Sequence, residues 1–287
     1  MLSSLAAVLF DGFAYGMLLF LLSVGLSVTL GMMNFVNLAH CSFAAVGGYA
    51  TVTLVNRLGW PFLATLPIAF AAAALVSILL ERTLYRRLYR SSDLDQCLLT
   101  IGIVFISVAA FAWFYTTEQQ SARVPEYLKG SVQFLGVNFA VYRLFLIVFG
   151  LATTAILVLL LEQTRFGARV RAAVDNQRMA RGLGIDVDRA FMITFALGGG
   201  LAGLGGALAI EVIGLDPAFA LTYLVYVLIV VAVGGLGSIG GSFAAAAVLG
   251  ISDMAGKYYF PWLGAFLIYL VMVGLLMWRP AGLFGKR

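Results

Sequence analysis

Followed for its apolar and polar positions, the chain falls into long apolar runs separated by short polar breaks. Gly12 to Asn56 is 45 residues without a formal charge, and Pro217 to Ser252 is another 36. One helical bilayer crossing takes about 20 residues, so each run must hold two crossings, or a crossing and a re-entrant piece. Backbone groups inside lipid have to be bonded within their own segment, which calls for helices. A membrane barrel would show alternating segments of about 10 residues, and none appear. The pattern predicts spans at about 8–31, 39–56, 62–81, 97–116, 142–162, 190–210, 221–236, 242–256 and 262–279. The expected fold is an all-α integral membrane protein: one polytopic bundle over residues 1–287 with about eight or nine transmembrane helices, some short or broken. The count is eight if one of the short spans in 217–256 does not cross.

Composition agrees with that pattern. The chain is 62% hydrophobic and 11% charged, against roughly 45–50% and about 25% in soluble domains. Charge then orients it. Arg82, Arg86, Arg87 and Arg90 follow the third span; Arg165, Arg169, Arg171, Arg178, Arg181 and Arg189 follow the fifth; Arg279, Lys286 and Arg287 close the chain. The remaining breaks hold Arg57, Arg123, Lys129, Lys257 and the boundary residue Arg143. Basic residues favour the cytoplasmic side, so the C-terminus is expected in the cytoplasm and, with nine passes, the N-terminus outside. The net charge of +5 is thus a topology signal, and arginines scattered over short loops do not make a nucleic-acid surface. The first residues lack the basic n-region of a signal peptide, and insertion is expected to use the first span.

Several spans state how they pack. GGGLAGLGGAL, Gly198 to Leu208, places Gly199 and Gly203 four apart, with Gly206 one turn on. Small residues so spaced let membrane helices approach backbone to backbone, as a fixed contact or a sliding face. GGLGSIGG, Gly234 to Gly241, contains a literal G-x-G-x-x-G. It sits between membrane segments without the acid of a dinucleotide site, and reads as a turn between two short helices on the cytoplasmic side. SFAA at Ser42–Ala45 recurs at Ser242–Ala245, a weak internal echo. Cys41 and Cys97 have no second thiol nearby and read as packed small apolar residues.

Chemistry is sparse. His40 is the only histidine, no Ser/His/Asp set or HExxH is present, and Glu211, Asp216 and Asp253 fall at expected outer boundaries where water would solvate them. Neither catalysis nor a metal or cofactor site is expected in this chain. Asn34, Asn37, His40 and Ser42 are polar groups inside the long uncharged run, flanked by Gly31, Gly47 and Gly48, which permit irregular backbone. A polar group left unpaired in lipid costs several kcal/mol, so these four must face protein or a wet cavity. They cap a turn at the inner surface, or they also line a passage.

The polar intrusion is RVRAAVDNQRMARGLGIDVDR, Arg169 to Arg189. Drawn as a helix it aligns Arg171, Asp175 and Arg178 for pairing. Ala172, Ala173, Asn176, Met179 and Ala180 gather on another, small face, before Gly182 and Gly184 break the helix. A smooth small-residue face suits docking against a protein.

At this point the motifs carry a resemblance. Arg178 to Gly184, RMARGLG, resembles the E-A-A-x-x-x-G loop of ABC importer permeases: Ala180 and Gly184 match, while Arg178 and Met179 replace the usual Glu and Ala. Asn37–His40 with Gly47 and Tyr49 is similar to the N-x-A-H-G…G-x-Y segment of the branched-chain amino acid (LIV-type) permeases. So are Gly184–Leu208, Val233–Gly241 and RPAGLFG at Arg279–Gly285. Cys41 stands where that family usually has Gly, and Ser42 where it often has an acid.

The resemblance implies one transmembrane permease domain with a cytoplasmic coupling loop at about 163–189, whose Arg178, Met179, Ala180, Gly182 and Gly184 seat in an ATPase. It also implies two ATP-binding subunits holding ATP and Mg, a second permease subunit, related or identical, and an extracytoplasmic solute-binding protein. The location would be a bacterial inner membrane. Leucine, isoleucine and valine lead as substrates, with urea or short amides on the same scaffold as the alternative. An ion-coupled secondary transporter is the rival from another class, and would need an intramembrane acid or a cation site.

Overall fold

A computed structural model of the chain describes residues 2–33, 35–89, 91–134 and 137–285. Its helices are α1 (Leu2–Met33), α2 (His40–Asn56), α3 (Phe62–Leu80), α4 (Arg86–Leu88), α5 (Asp93–Tyr115), α6 (Val141–Glu162), α7 (Arg165–Asp175), α8 (Gln177–Gly182), α9 (Val187–Ile213), α10 (Phe219–Gly234), α11 (Ile239–Tyr259) and α12 (Gly264–Trp278). Six are long and apolar enough to cross a bilayer, counting α3 and α4 as one rod joined by a π turn at Glu81–Tyr85. The apolar helix α10 is shorter, as is the apolar stretch Phe266–Trp278 of α12, and α2 has 17 residues. An all-helical membrane protein is what the hydropathy predicts. One departure is an antiparallel hairpin, β1 (Ser131–Phe134) with β2 (Val137–Ala140), Val132 opposite Phe139. It is held down by Phe10 of α1, whose ring meets Phe139 edge-on at 4.6 Å.

Two helices form the centre. The apolar stretches of α9 and α1 are 78% and 61% buried within the protein, whereas that of α5 is 11% buried. A helix that is apolar all round belongs in the core, and α1 meets this with Leu18, Leu19, Phe20, Leu21 and Leu22 on consecutive positions, all fully buried. What lets three neighbours reach α9 is the absence of Cβ atoms. Gly198 faces Gly25 of α1; Gly199 and Gly203 face Ser77 and Ala73 of α3; Gly206 faces the Ala44 carbonyl of α2. Each small residue thus serves a particular partner, as close membrane packing requires.

Neighbour contacts fix relative directions. Along α1 and α11, Gly12 lies by Ile251 and Gly16 by Ala246 and Ala247, so these two helices are antiparallel. Ser42 and Thr53 of α2 meet Ser107 and Tyr115 of α5 in the same order, so those run parallel. Followed through the bundle, Arg82, Arg86, Arg87, the arginines of α7 to α9 and Arg279 gather at one end. Arg57, Arg143 and Lys257 lie at the other, where Asn56 binds the Ser121 carbonyl and Gln119 that of Ile213. Arg90, Lys286 and Arg287 lie outside the described residues.

The two glycine motifs at the basic end fold onto each other. The turn after α10 takes positive φ at Gly235 and Gly237, 93° and 77°, which only glycine adopts without strain. The RPAGLFG segment then crosses it: the Leu283 amide donates to the Val233 carbonyl at 2.7 Å and the Phe284 amide to that of Gly234 at 3.2 Å. The expected turn between helices is therefore present, and its glycines admit the closing segment on one side and Gly31 of α1 on the other.

Candidate translocation site and coupling segment

Residues 35–39 are non-helical backbone inside the bundle. The chain leaves α1, runs alongside the first turns of α5, and starts α2 level with the middle of α1, where His40 Nε2 lies 3.1 Å from the Leu22 carbonyl oxygen. A carbonyl only accepts, so this nitrogen carries the proton. Irregular backbone at such depth survives only where protein or a wet cavity satisfies it, and here side chains of α5 do so. The Val36 amide donates to Gln96 Oε1 at 2.9 Å, and the Leu38 amide to Thr100 Oγ1 at 3.2 Å. Asn37 closes the local turn: its Oδ1 accepts from the Ala39 amide at 3.1 Å and from the Tyr85 hydroxyl at 3.4 Å. Tyr85 comes from the π turn and packs against Phe35 and Phe195, an example of a helix irregularity placed at a polar site.

Asn37, His40 and Ser42 are all buried, each side chain with a different partner. Asn34, the fourth residue expected here, lies outside the described residues. Ser42 Oγ shares a hydrogen bond with Ser107 Oγ at 2.8 Å, and its echo Ser242 donates to Ser27 at 2.9 Å. Asn37 Nδ2, buried, has no hydrogen-bond partner among the described residues. The glycines expected to loosen this backbone do not: Gly31 lies in α1 and Gly47 and Gly48 in α2, where they allow close approach instead. Sequence reasoning missed Gln96, Thr100 and Ser107. Their spacing of four and seven on an otherwise apolar helix puts them along one face, and that was the available signal.

The polar segment differs from the single helix expected. Asn176 is extended, φ −155° and ψ 95°, and divides it into α7 and α8, its Oδ1 accepting from the Met179 amide at 3.0 Å as the cap of α8. Arg171 and Asp175 keep their i, i+4 relation on α7, but Arg178 falls on α8 and leaves the line, and Arg171 reaches back to the Leu161 carbonyl. The small face is also divided. Ala173 and Ala180 turn inward with Val170, Val187, Ala190 and Phe191 in a second, smaller core. Arg178, Met179, Gly182, Leu183 and Gly184 are exposed, with Met179 64% and Leu183 78% accessible. Gly184 ends the segment at φ 78°. Asp188 at the start of α9 ties it down, pairing with Arg181 at 3.0 Å and with Arg86.

One acid is placed differently from expectation. Asp253 is fully buried, because Tyr15 of α1 and the tyrosines of α10 cover it where hydropathy put it in water. Its Oδ2 accepts from Lys257 Nζ at 2.5 Å, and that ammonium lies 5.5 Å over the Tyr15 ring. Asp11 pairs with Arg143 nearby.

Comparison with known proteins gives this arrangement a family. A family described as branched-chain amino acid transport system / permease component matches residues 8–276. A probable branched-chain amino acid transport permease protein LivH of Methanocaldococcus jannaschii is 28% identical, with 94% of this chain and 90% of that protein aligned. The high-affinity branched-chain amino acid transport permeases BraD of Pseudomonas aeruginosa and LivH of Escherichia coli K12 are each 24% identical. The alignments take in 97% of this chain and 95% and 94% of theirs. No solved structure gives a significant match. These relatives are transport permeases rather than enzymes, and with its apolar helices this multi-pass membrane protein belongs to the family of branched-chain amino acid transport system permease components.

Proposed function

We propose that this chain is the membrane permease of an ABC importer, carrying branched-chain or related aliphatic amino acids into the cytoplasm by alternating access. The observation that carries the reading is the family match across residues 8–276. Nine helical runs would then alternate in direction: α1, α2 with its non-helical lead-in, the α3–α4 rod, α5, α6, α9, α10, α11 and α12. With the arginine-rich end in the cytoplasm of a bacterial inner membrane, the N-terminus lies outside and the C-terminus inside.

The segment Arg178–Gly184 is then the coupling element. Met179 and Leu183 offer apolar contacts beside the cations Arg178 and Arg181, a surface suited to an ATPase groove with an acidic rim. Ala180 anchors it from below, and Asp188 links it to α9, so a push on α8 reaches the central helix. Two ATPase subunits would hold ATP and Mg, this chain needing no cofactor of its own. A second permease, related or identical, and an extracytoplasmic binding protein would complete the assembly. Residues 35–42 would belong to the moving path, because backbone held by side chains of another helix can be released without breaking a helix.

Affinity purification of the full chain from its own cells tests this. ATPase subunits should co-purify with it, and Met179→Asp should reduce their recovery about tenfold, the loss of one apolar anchor and the cost of an unpaired charge. Recovery unchanged by Met179→Asp would remove the coupling role from this segment.

A further inference from the structure

At the end opposite the arginine-rich loops, the bundle holds a cavity of about 180 Å³ between α1, α6, α9 and α11. Its lining is of two kinds. Asp11, Arg143 and Lys257 bring charges of both signs, while Leu146 and Met254 bring aliphatic wall, with Tyr15 beneath. The charges come from three helices and are only part-exposed in the case of Asp11 and Arg143, at 27% and 33%. Lys257 is steadied from behind by the buried Asp253.

From this lining we infer that the cavity is a subsite of the permease for a zwitterionic aliphatic solute, the α-amino acid class. The inference rests on the amino-acid reading above and gives it a location. Within the cavity the charges compensate one another, Asp11 with Arg143 and Lys257 with Asp253. A zwitterion inserted among them puts its carboxylate towards Arg143 and Lys257 and its ammonium towards Asp11, so every charge keeps a partner. A simple amine or a simple carboxylate leaves one charge of the site uncompensated, which in a partly desolvated place is costly. The site therefore discriminates by exclusion as much as by attraction. The hydrocarbon side chain lies on Leu146 and Met254, where burial favours branched aliphatic groups over polar ones.

The test is equilibrium binding of radiolabelled leucine to the purified full chain in lipid nanodiscs. Saturable binding is expected, displaced by unlabelled leucine or isoleucine. Leucinamide, which lacks the carboxylate, and 4-methylpentanoate, which lacks the ammonium, should displace it about tenfold less well or worse. The paired variant Asp11→Asn with Arg143→Gln leaves no lone charge and so keeps the fold; it should bind leucine about tenfold more weakly. Unchanged affinity in that variant, equal displacement by leucinamide, or no saturable binding by the natural chain would each overturn the subsite. ATP-driven uptake by the assembled transporter is a separate measurement, and it can succeed while this one fails.

Discussion

Gly47 on α2 and Gly203 on α9 pack backbone against backbone, so that a Cβ added to Gly47 would run into the Gly203 carbonyl oxygen. Backbone cannot rotate aside as a side chain can. Gly47→Val should therefore destabilise the protein by about 1–3 kcal/mol or more, the cost of overpacking a tight core. A lowered melting temperature of the detergent-solubilised chain would show it. Gly102→Ala is the control: a Cβ there meets nothing within 4 Å, and the melting temperature should not fall.

Thr100 holds the non-helical segment 35–39 through the Leu38 amide. Thr100→Val keeps the shape and removes the acceptor, leaving a buried N–H unsatisfied at about 1–3 kcal/mol. The segment should then open more often. Cys41, fully buried two residues beyond it, reports on this in a Cys97→Ser background: maleimide should label it faster in Thr100→Val, by roughly tenfold for about 1.4 kcal/mol. An unchanged rate would mean that Gln96 alone suffices.

Asp253 and Lys257 test how buried charge is managed. Lys257→Met strips the partner from a fully buried carboxylate and should cost about 3–5 kcal/mol. Asp253→Asn leaves only an ammonium that is half exposed, and should cost much less. The double variant should recover most of the Lys257→Met loss. Melting temperatures of the three against the natural chain measure the coupling, and additive losses would show that the pair does not interact.

Gly184 takes positive φ with open space around it, so its requirement is conformational rather than steric. Gly184→Val should strain the end of α8 by about 1–2 kcal/mol or more while leaving membrane insertion intact. The expected result is ATP hydrolysis that continues with fewer solute molecules moved per ATP. Gly102→Ala, helical, unobstructed and remote from the segment, should transport normally.

These tests rest on features of unequal legibility in the sequence. Hydropathy located the helical runs within a few residues, because lipid imposes length and apolarity on each span independently. Arginine placement likewise sorted the two ends, since it acts loop by loop. What failed was anything decided by a neighbour. Asp253 looked solvated because its burial comes from Tyr15 on α1, more than 200 residues away in the chain. Gln96 and Thr100 looked like incidental polar residues in an apolar helix until the chain at 35–39 lay beside them. The break at Asn176 was hidden for a related reason. Helical geometry alone allowed Arg171 and Arg178 to align, but the inward pull on Ala173 and Ala180 divides the segment. Strands β1 and β2, only four residues each, are too short for their alternation to stand out in the sequence.

Under the proposed function, this chain moves amino acid only when ATPase subunits push on the Arg178–Gly184 segment. Leucine uptake into proteoliposomes containing the assembled transporter, with loaded binding protein outside, measures it directly. Uptake should require hydrolysable ATP on the side of the arginine-rich loops and should fall several-fold per ATP hydrolysed in Gly184→Val. Uptake that persists without ATP, or is driven by an ion gradient alone, would rule out an ATPase-driven permease.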